Sequence, residues 1–171
     1  MTKDKDIRII KTKNKLSTAM INLMETIPFK DIKITDICKE SRISRPTFYT
    51  YFNDKYELLF HTINSLTKDI PEISYDETIK PKRYYIYISE LLLNNINKHL
   101  KEYQIINHSI PSLLKSFLYE IINNSIIETN PNNLYNFFYL GAIINTTIYY
   151  LDNYLTTTKE EIISSISKII P

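Results

Sequence analysis

The sequence has 171 residues, enough to bury a core, and its single glycine argues against hairpin-rich sheets and phosphate-binding loops, which need positive φ angles. The one cysteine, Cys38, excludes a disulfide framework and favours a reducing compartment, while a net charge of +2 excludes no class of partner. The N-terminus lacks the apolar segment of a secretory signal, and the longest apolar run, Phe137–Ile144, is far shorter than the roughly 20 residues that span a bilayer. We therefore expect a cytoplasmic protein with no membrane partner.

The charge is unevenly distributed along the chain. Residues 1–60 carry 12 Lys and Arg against 8 Asp and Glu, a net of +4, whereas residues 61–171 carry 9 against 11, a net of −2. A basic end on a mildly acidic body favours a polyanion partner for the N-terminal part. A solvated helix face explains the same charges equally well.

The first two predicted helices cover about residues 6–26 and 34–41. Apolar residues recur at helical spacing along the first, and Pro28 ends it, because the residue before a proline is disfavoured in the α region. The second helix is short, and its buried side chains are predicted to be Ile34, Ile37 and Cys38. On this stripe Cys38 is interpreted as a small core residue rather than a nucleophile.

The third and fourth predicted helices follow a turn at Ile43. Ser44 is placed to cap the third helix, which runs to about Phe52 and stacks Phe48 on Phe52 four residues apart. The fourth helix is capped by Asn53 or Asp54. Its predicted core stripe is Tyr56, Leu59, Phe60 and Ile63.

Beyond a proline-bracketed linker over residues 71–81, the pattern is again helical. Five more helices are predicted, over about residues 82–100, 102–108, 112–128, 132–155 and 159–170. The fold class is therefore all-α with about nine helices and no fixed repeat. We expect a division near residue 60, with a small basic four-helix unit over residues 1–60 and a larger helical body over residues 61–171.

Residues 33–52 have the spacing of a helix-turn-helix, in which the second helix enters the major groove of DNA. With Phe48 and Phe52 facing the core, helical geometry places Pro46 and Thr50 on the opposite face. Small polar residues there leave room for a groove. The residues on or beside this outward face are Pro46, Thr47, Tyr49 and Thr50.

These side chains have chemistry suited to DNA. Arg45 can pair bidentately with a guanine or a phosphate, hydroxyls can meet base edges or phosphates, and a threonine methyl can meet a thymine methyl. Bordering the face, the predicted phosphate clamps are Tyr49, Tyr51 and Lys55. A polar, solvent-exposed helix that binds nothing is the alternative interpretation.

The segment Ser44-Arg45-x-Thr47-Phe48-Tyr49-x-Tyr51-Phe52-x-x-Lys55 resembles the N-terminal domain of the TetR family of tetracycline-repressor-like regulators. The resemblance covers about residues 8–62 and implies a helix-turn-helix DNA-binding domain over residues 1–60 and a helical regulatory and dimerisation domain over residues 61–171. It implies that four residues match recognition-helix contact positions: Arg45, Pro46, Thr47 and Tyr49. Tyr51 matches a histidine or tyrosine that touches the DNA backbone, Lys55 matches a lysine that binds phosphate, and Thr35 matches a position that often meets DNA.

The sequence departs from the family pattern at two positions. Lys33 stands where the family usually has a threonine that caps the second helix, so the side-chain cap is lost, but Lys33 can itself reach a phosphate. Arg42 stands where the family usually has a glycine in the turn. It must adopt a backbone conformation that glycine takes more cheaply, at a cost of about 1 kcal/mol.

The last two predicted helices are unusually apolar. The helix over about residues 132–155 is hydrophobic on nearly all sides, which predicts burial in the core or at a subunit interface. By the resemblance, these helices form a homodimer interface, and Gly141 suits a close helix approach there, although a tolerated core glycine explains it equally well. Two-fold symmetry then predicts a pseudo-palindromic operator. The isoleucines of the last helix are Ile162, Ile163, Ile166, Ile169 and Ile170.

Many family members hold a small-molecule effector in the second domain. The candidate lining residues are Tyr84, Tyr85, Tyr87, Tyr103, His108, Phe117, Tyr119 and Tyr139. An aromatic set at helical spacing is equally typical of plain core, and the short body leaves little room for a large pocket.

No enzyme chemistry is expected. The three histidines lack metal-ligand spacing, and no glycine-rich phosphate loop exists, so we expect neither a metal nor another cofactor. The hypothesis is a regulator, most often a repressor in this family, that binds a double-stranded DNA operator and is modulated by an unknown small-molecule effector. One alternative is a co-regulator acting through a protein partner or metabolite. Another is a helical protein-interaction module that has lost DNA binding.

Overall fold

The computed structural model describes residues 2–68, 70, 81–127 and 134–169, with side chains described for residues 6–68, 70, 82–122 and 137–169. Within these ranges the chain is all-α and has nine α-helices, which confirms the predicted fold class. They are α1 Thr2–Met24, α2 Ile34–Ser41, α3 Arg45–Tyr51, α4 Lys55–Thr67, α5 Pro81–Lys98, α6 Leu100–Ser109, α7 Pro111–Ile127, α8 Leu134–Asp152 and α9 Lys159–Ile169. The predicted linker up to residue 80 and the predicted helix ends at residues 128, 132 and 170 lie outside the described residues.

The chain divides into two compact units, the first of which ends at Lys68. The boundary predicted at residue 60 falls inside α4. The physical reason is that the apolar stripe of α4 continues past that point, where Ile63 and Leu66 are buried. A helix that buries its last two turns stays with the core that covers them.

The core of the first unit is formed by α1 packed on α2 and α4, with α3 packed on α2. Leu16, Met20, Ile37, Phe48 and Leu59 are fully buried. Burying one such side chain stabilises the fold by roughly 1.5–3 kcal/mol. This core fixes the orientation of the short α3.

The buried face of α4 differs from the predicted one. Tyr56 and Phe60 are 55% and 44% exposed, so their predicted core positions are wrong. Thr62 takes a core position because its Oγ1 donates to the Leu58 carbonyl oxygen at 2.8 Å and is within 3.0 Å of Ser17 Oγ. Burying a hydroxyl that has hydrogen-bond partners costs little free energy. The helix α4 therefore buries a different face from the one that hydrophobicity alone predicts. The buried residues of α4 are Leu58, Leu59, Thr62, Ile63, Leu66 and Thr67.

In the second unit α8 packs against α5, α6, α7 and α9. Polar side chains bridge these helices: Tyr150 Oη donates to Asn97 Oδ1 at 2.6 Å, and Asn107 Nδ2 donates to Asp152 Oδ1 at 2.7 Å. Such bonds fix the relative register of helices that apolar packing alone would leave free to slide. Among the described residues, we find no helix with both the length and the hydrophobicity of a membrane span.

Candidate nucleic-acid interface

The turn between α2 and α3 depends on a left-handed residue. Arg42 has φ 56° and ψ 37°, which confirms the prediction that it takes a backbone conformation favoured by glycine. The turn closes when Ile43 N–H donates to the Cys38 carbonyl oxygen at 3.0 Å. This closure sets the angle at which α3 leaves α2.

The start of α2 is capped by an unpredicted residue. The Lys33 side chain makes no capping hydrogen bond, as predicted, but the Asp36 carboxylate accepts the Lys33 backbone N–H at 2.9 Å. Asp36 also lies in the first helical turn, where negative charge is favoured by the helix dipole. Lys33 and Thr35 are exposed, so both are available to a ligand.

Ser44 caps α3, as predicted. Its Oγ accepts the backbone N–H of Thr47 at 3.3 Å and lies 2.8 Å from Thr47 Oγ1. Pro46 stands in the first turn, where a missing N–H removes no helical hydrogen bond. The N-terminal end of α3 is thus specified entirely by local sequence.

The helix α3 has one buried face and one exposed face. Phe48 and Phe52 are buried, with ring centroids 5.9 Å apart, as the stacking of residues four apart predicted. Tyr49 is 48% exposed, and its ring meets Phe48 edge-on at 5.5 Å. The remaining exposed residues of the helix are Arg45, Pro46 and Thr50, and the half-buried ones are Thr47 and Tyr51.

One predicted contact, Lys55, has an unexpected environment. Its Nζ donates to the carbonyl oxygens of Phe29, Lys30 and Ile32 at 2.7, 2.9 and 2.8 Å. These carbonyls end the short 3-10 helix Phe29–Asp31. An ammonium has three donors, so all of them are used within the protein.

The basic end of the chain lies along α1. Arg8, Lys11 and Lys15 are exposed and share one helical face. Lys13 differs, because its Nζ lies 5.4 Å from the centroid of the Phe52 ring, a cation–π distance. The second unit carries no such stripe in its described helices.

His61 lies on the other side of Phe52, with ring centroids 5.3 Å apart. Burial lowers the pKa of His61 below its ordinary value of 6.5, and the Lys13 ammonium lowers it further. His61 is therefore a neutral packing residue at neutral pH rather than a fixed cation.

Cys38 has the core position predicted for it. Its side chain is buried on α2, and this burial raises the pKa of the thiol, an effect that the positive charge of Arg45 partly offsets. The neutral thiol is therefore the form present at neutral pH.

The aromatic residues proposed to line an effector pocket are not all brought together. Tyr84, Tyr85, Tyr103, Phe117 and Tyr139 are buried, and the rings of Tyr85 and Tyr139 lie 4.9 Å apart. Tyr119 is half-buried, whereas Tyr87 and His108 are exposed and lie outside this buried set.

The sequence did not predict two buried polar atoms in the second unit. Asn107 Oδ1 and Thr147 Oγ1 have no hydrogen-bond partner among the described residues. The aromatic pattern does not predict them, because the spacing of an asparagine or a threonine along a helix does not show whether that residue is buried. Such atoms normally have a partner when buried.

Comparisons with known proteins agree with this architecture. Residues 18–62 match the family model described as bacterial regulatory proteins, tetR family. Over 89 residues the chain is 34% identical to the HTH-type transcriptional regulator EthR of Mycolicibacterium smegmatis, covering 49% of this chain and 40% of that protein. Over 106 residues it is 32% identical to the HTH-type dhaKLM operon transcriptional activator DhaS of Lactococcus lactis subsp. lactis, covering 62% and 52%. The chain spans about half the length of these relatives.

Two solved structures share the fold over almost the whole chain. The dihydroxyacetone kinase operon activator DhaS superposes with a TM-score of 0.60 at 21% identity, covering 94% of both chains. A TetR transcriptional regulator from Streptococcus agalactiae 2603V superposes with a TM-score of 0.62 at 19% identity, covering 99% of both chains. Residues 18–62 thus match the family model of the tetR regulatory proteins, and the two solved structures share the helical fold of the chain.

Proposed function

We propose that this chain is a DNA-binding regulator of transcription that places α3 in the major groove of an operator. The observation that carries the proposal is the division of α3 into a buried aromatic face and an exposed face. Phe48 and Phe52 hold the helix on the core, while Arg45, Tyr49 and Thr50 remain exposed. A helix anchored in this way can present side chains to base edges without reorganising.

The exposed residues divide into two roles. Arg45 and Thr47 are proposed to contact base edges, because a guanidinium recognises guanine bidentately and a threonine suits several bases. Tyr49, Tyr51, Lys33 and Thr35 are proposed to contact phosphates. These contacts position the helix without reading the sequence.

The predicted phosphate contact of Lys55 is not retained. All three donors of its ammonium are used by backbone carbonyls. Releasing them to reach a phosphate would leave those carbonyls without a charged partner. Lys55 is instead proposed to hold the segment that precedes α2.

A homodimer is proposed, formed by the exposed apolar face of α8 with α9. Phe137 and Phe138 are 51% and 61% exposed, and Tyr149 and Ile169 are also exposed. Large apolar side chains that stay exposed on a folded chain favour a partner surface. A second copy of the chain would bring two α3 helices into a two-fold arrangement and require a pseudo-palindromic operator.

The sign of regulation has two candidates. Repression follows from simple occupancy of an operator by the dimer. Activation is favoured by one specific observation, since the similar protein DhaS is described as a transcriptional activator. In vitro transcription from the operator distinguishes them, because repression lowers the transcript yield and activation raises it.

Modulation by a small molecule is proposed for the second unit. The proposed apolar walls are the buried residues Tyr84, Tyr85, Tyr103, Phe117 and Tyr139, and the proposed acceptor is Asn107 Oδ1, which has no hydrogen-bond partner among the described residues. Apolar walls with a few polar groups are typical of small-molecule sites. A thermal-shift screen of metabolites, followed by operator binding with each stabilising compound, tests this part.

The central experiment is operator selection and a salt titration. The purified chain is incubated with a random duplex pool, the enriched sequence is synthesised, and its affinity is measured against salt concentration. We expect an enriched two-fold site, because specific DNA binding by a dimer requires one, and an affinity that falls steeply with salt. Arg45→Ala should relax sequence choice at one base pair in each half-site, costing roughly 1–3 kcal/mol.

The matched control is Arg83→Ala, which removes an exposed arginine from α5 in the second unit. It should leave the selected sequence and the affinity unchanged. A protein-interaction module that has lost DNA binding would enrich no sequence, and a co-regulator would enrich one only when its partner or metabolite is present.

A further inference from the structure

The outward face of α3 has an apolar centre. Pro46 and Thr50 stand four residues apart, so they lie one above the other on the same face, and both are exposed. Pro46 contributes a ring without any N–H donor. The polar and charged side chains of this helix lie beside the two residues rather than between them.

The hydroxyl of Thr50 is turned towards its own helix. Its Oγ1 donates to the carbonyl oxygen of Pro46 at 3.0 Å. Since Cβ of threonine carries only a hydroxyl and a methyl beyond the backbone, the γ-methyl is the group left to meet a ligand.

We propose that the Thr50 methyl and the Pro46 ring form an apolar contact that reads the C5-methyl group of one thymine in each half-site. The inference rests on the proposed function and adds the chemistry by which α3 selects a base. In the major groove the C5-methyl is the feature that thymine presents and that cytosine, adenine and guanine lack. A face whose only donor is bonded internally cannot distinguish these bases by donating a hydrogen bond.

The test uses the full-length chain and the duplex enriched from a random pool. Each thymine of that duplex is replaced in turn by deoxyuridine, which removes the methyl group and leaves base pairing intact. We expect one position in each half-site at which the replacement weakens binding about fourfold, the factor that corresponds to about 0.8 kcal/mol for one buried methyl group.

Two variants separate the methyl from the hydroxyl. Thr50→Val keeps the methyl and loses the hydroxyl, so it should still distinguish thymine from uracil at that position. Thr50→Ser keeps the hydroxyl and loses the methyl, so only the Pro46 ring remains and it should distinguish thymine from uracil less well than the wild type does. A duplex with 5-methylcytosine at the position should bind the wild-type chain about fourfold more tightly than one with cytosine, by the same methyl contact.

The outcomes that overturn the inference differ from those that overturn the proposed function. A pool in which no sequence is enriched contradicts both. An enriched site at which Thr50→Ser distinguishes thymine from uracil as well as the wild type does contradicts the methyl contact alone. A loss of discrimination in Thr50→Val contradicts it too, because it would assign the reading to the hydroxyl.

Discussion

Lys55 Nζ lies 2.7 Å from the carbonyl oxygen of Phe29 and 4.7 Å from the centroid of the ring of the same residue. One ammonium therefore binds both the backbone and the side chain of Phe29. The Phe29 ring also meets Tyr56 edge-on at 5.3 Å, so the cation ties the start of α4 to the segment that leads into α2. This contact therefore helps to fix the position of α2 and, because α3 packs on α2, the orientation of α3.

Replacing this cation should destabilise the first unit. Lys55→Met keeps the aliphatic chain and removes the three donors. We expect the free energy of unfolding to fall by about 2 kcal/mol, because hydrogen bonds from a charged group contribute roughly 1.5–3 kcal/mol and the site is only half-buried. Urea unfolding followed by circular dichroism measures this change.

The control is Lys30→Met, since Lys30 is an exposed neighbour. It should change stability by less than about 0.5 kcal/mol. The slope of operator affinity against salt, measured where Lys55→Met remains folded, should equal that of the wild type. A slope smaller by about one would instead assign Lys55 to a phosphate contact, as the family resemblance implied.

Lys55 also illustrates what the sequence could not provide. The family resemblance placed Lys55 at the start of the fourth helix. The backbone carbonyl oxygens that Lys55 binds lie 23 to 26 residues earlier in the chain. No local rule connects positions so far apart. The caps, turn and aromatic stacking of α3 were predicted because each depends on residues within about four positions of one another.

The misplaced stripe of α4 has a related cause. Tyr56 and Phe60 are apolar enough to be assigned to the core, yet Thr62 occupies the core through its hydrogen bonds. Hydrophobic periodicity scores a threonine as polar and cannot anticipate a partner on another helix. Tyr87 of α5, a candidate pocket-lining residue in the sequence, is 48% exposed.

The left-handed Arg42 provides a stability prediction of the opposite sign. Arg42→Gly should raise the free energy of unfolding by about 1 kcal/mol, because glycine adopts φ 56° without the clash of a Cβ atom. Thermal unfolding is the measurement. Lys39→Gly is the matched control, since Lys39 is exposed within α2 and glycine there should cost about 1 kcal/mol. Equal effects of the two changes would contradict strain at Arg42.

His61 should make the stability of the first unit depend on pH. Burial, and then Lys13, lower the pKa of His61 in the folded chain below the ordinary value of 6.5. The unfolded chain takes up a proton as the pH falls through 6.5, whereas the folded chain does so only at lower pH. The contribution of neutral His61 to the free energy of unfolding is therefore fully present above about pH 6.5 and is lost progressively below it.

The measurement compares urea unfolding at about pH 7.5 and about pH 5.5, a range above the titration of ordinary carboxylates. His61→Gln should lose less stability between these two values than the wild type. Lys13→Met should also reduce the dependence, since one cause of the lowered pKa is removed. His108→Gln, an exposed position in the second unit, should keep the wild-type dependence. Identical dependence in His61→Gln and the wild type would assign the effect to another group.

Gly141 provides a test of the proposed dimer interface. It lies on α8 one turn after Phe138, and among the described residues a Cβ atom built there would meet no atom within 4 Å beyond the nearby backbone of its own helix. Alanine should stabilise the helix by about 1 kcal/mol over glycine. If a second α8 packs closely on this face, each added methyl group enters the interface. The variant dimer should then dissociate at a higher protein concentration than the wild-type dimer does.

Sedimentation velocity over a dilution series measures dissociation of the dimer, and thermal unfolding of the dilute chain measures helix stability. Ser116→Ala, an exposed position in α7, controls for helix propensity. We expect Gly141→Ala to be more stable as a monomer and weaker as a dimer. A dimer as tight as that of the wild type would mean that the two copies do not approach at Gly141, which would then be only a tolerated glycine.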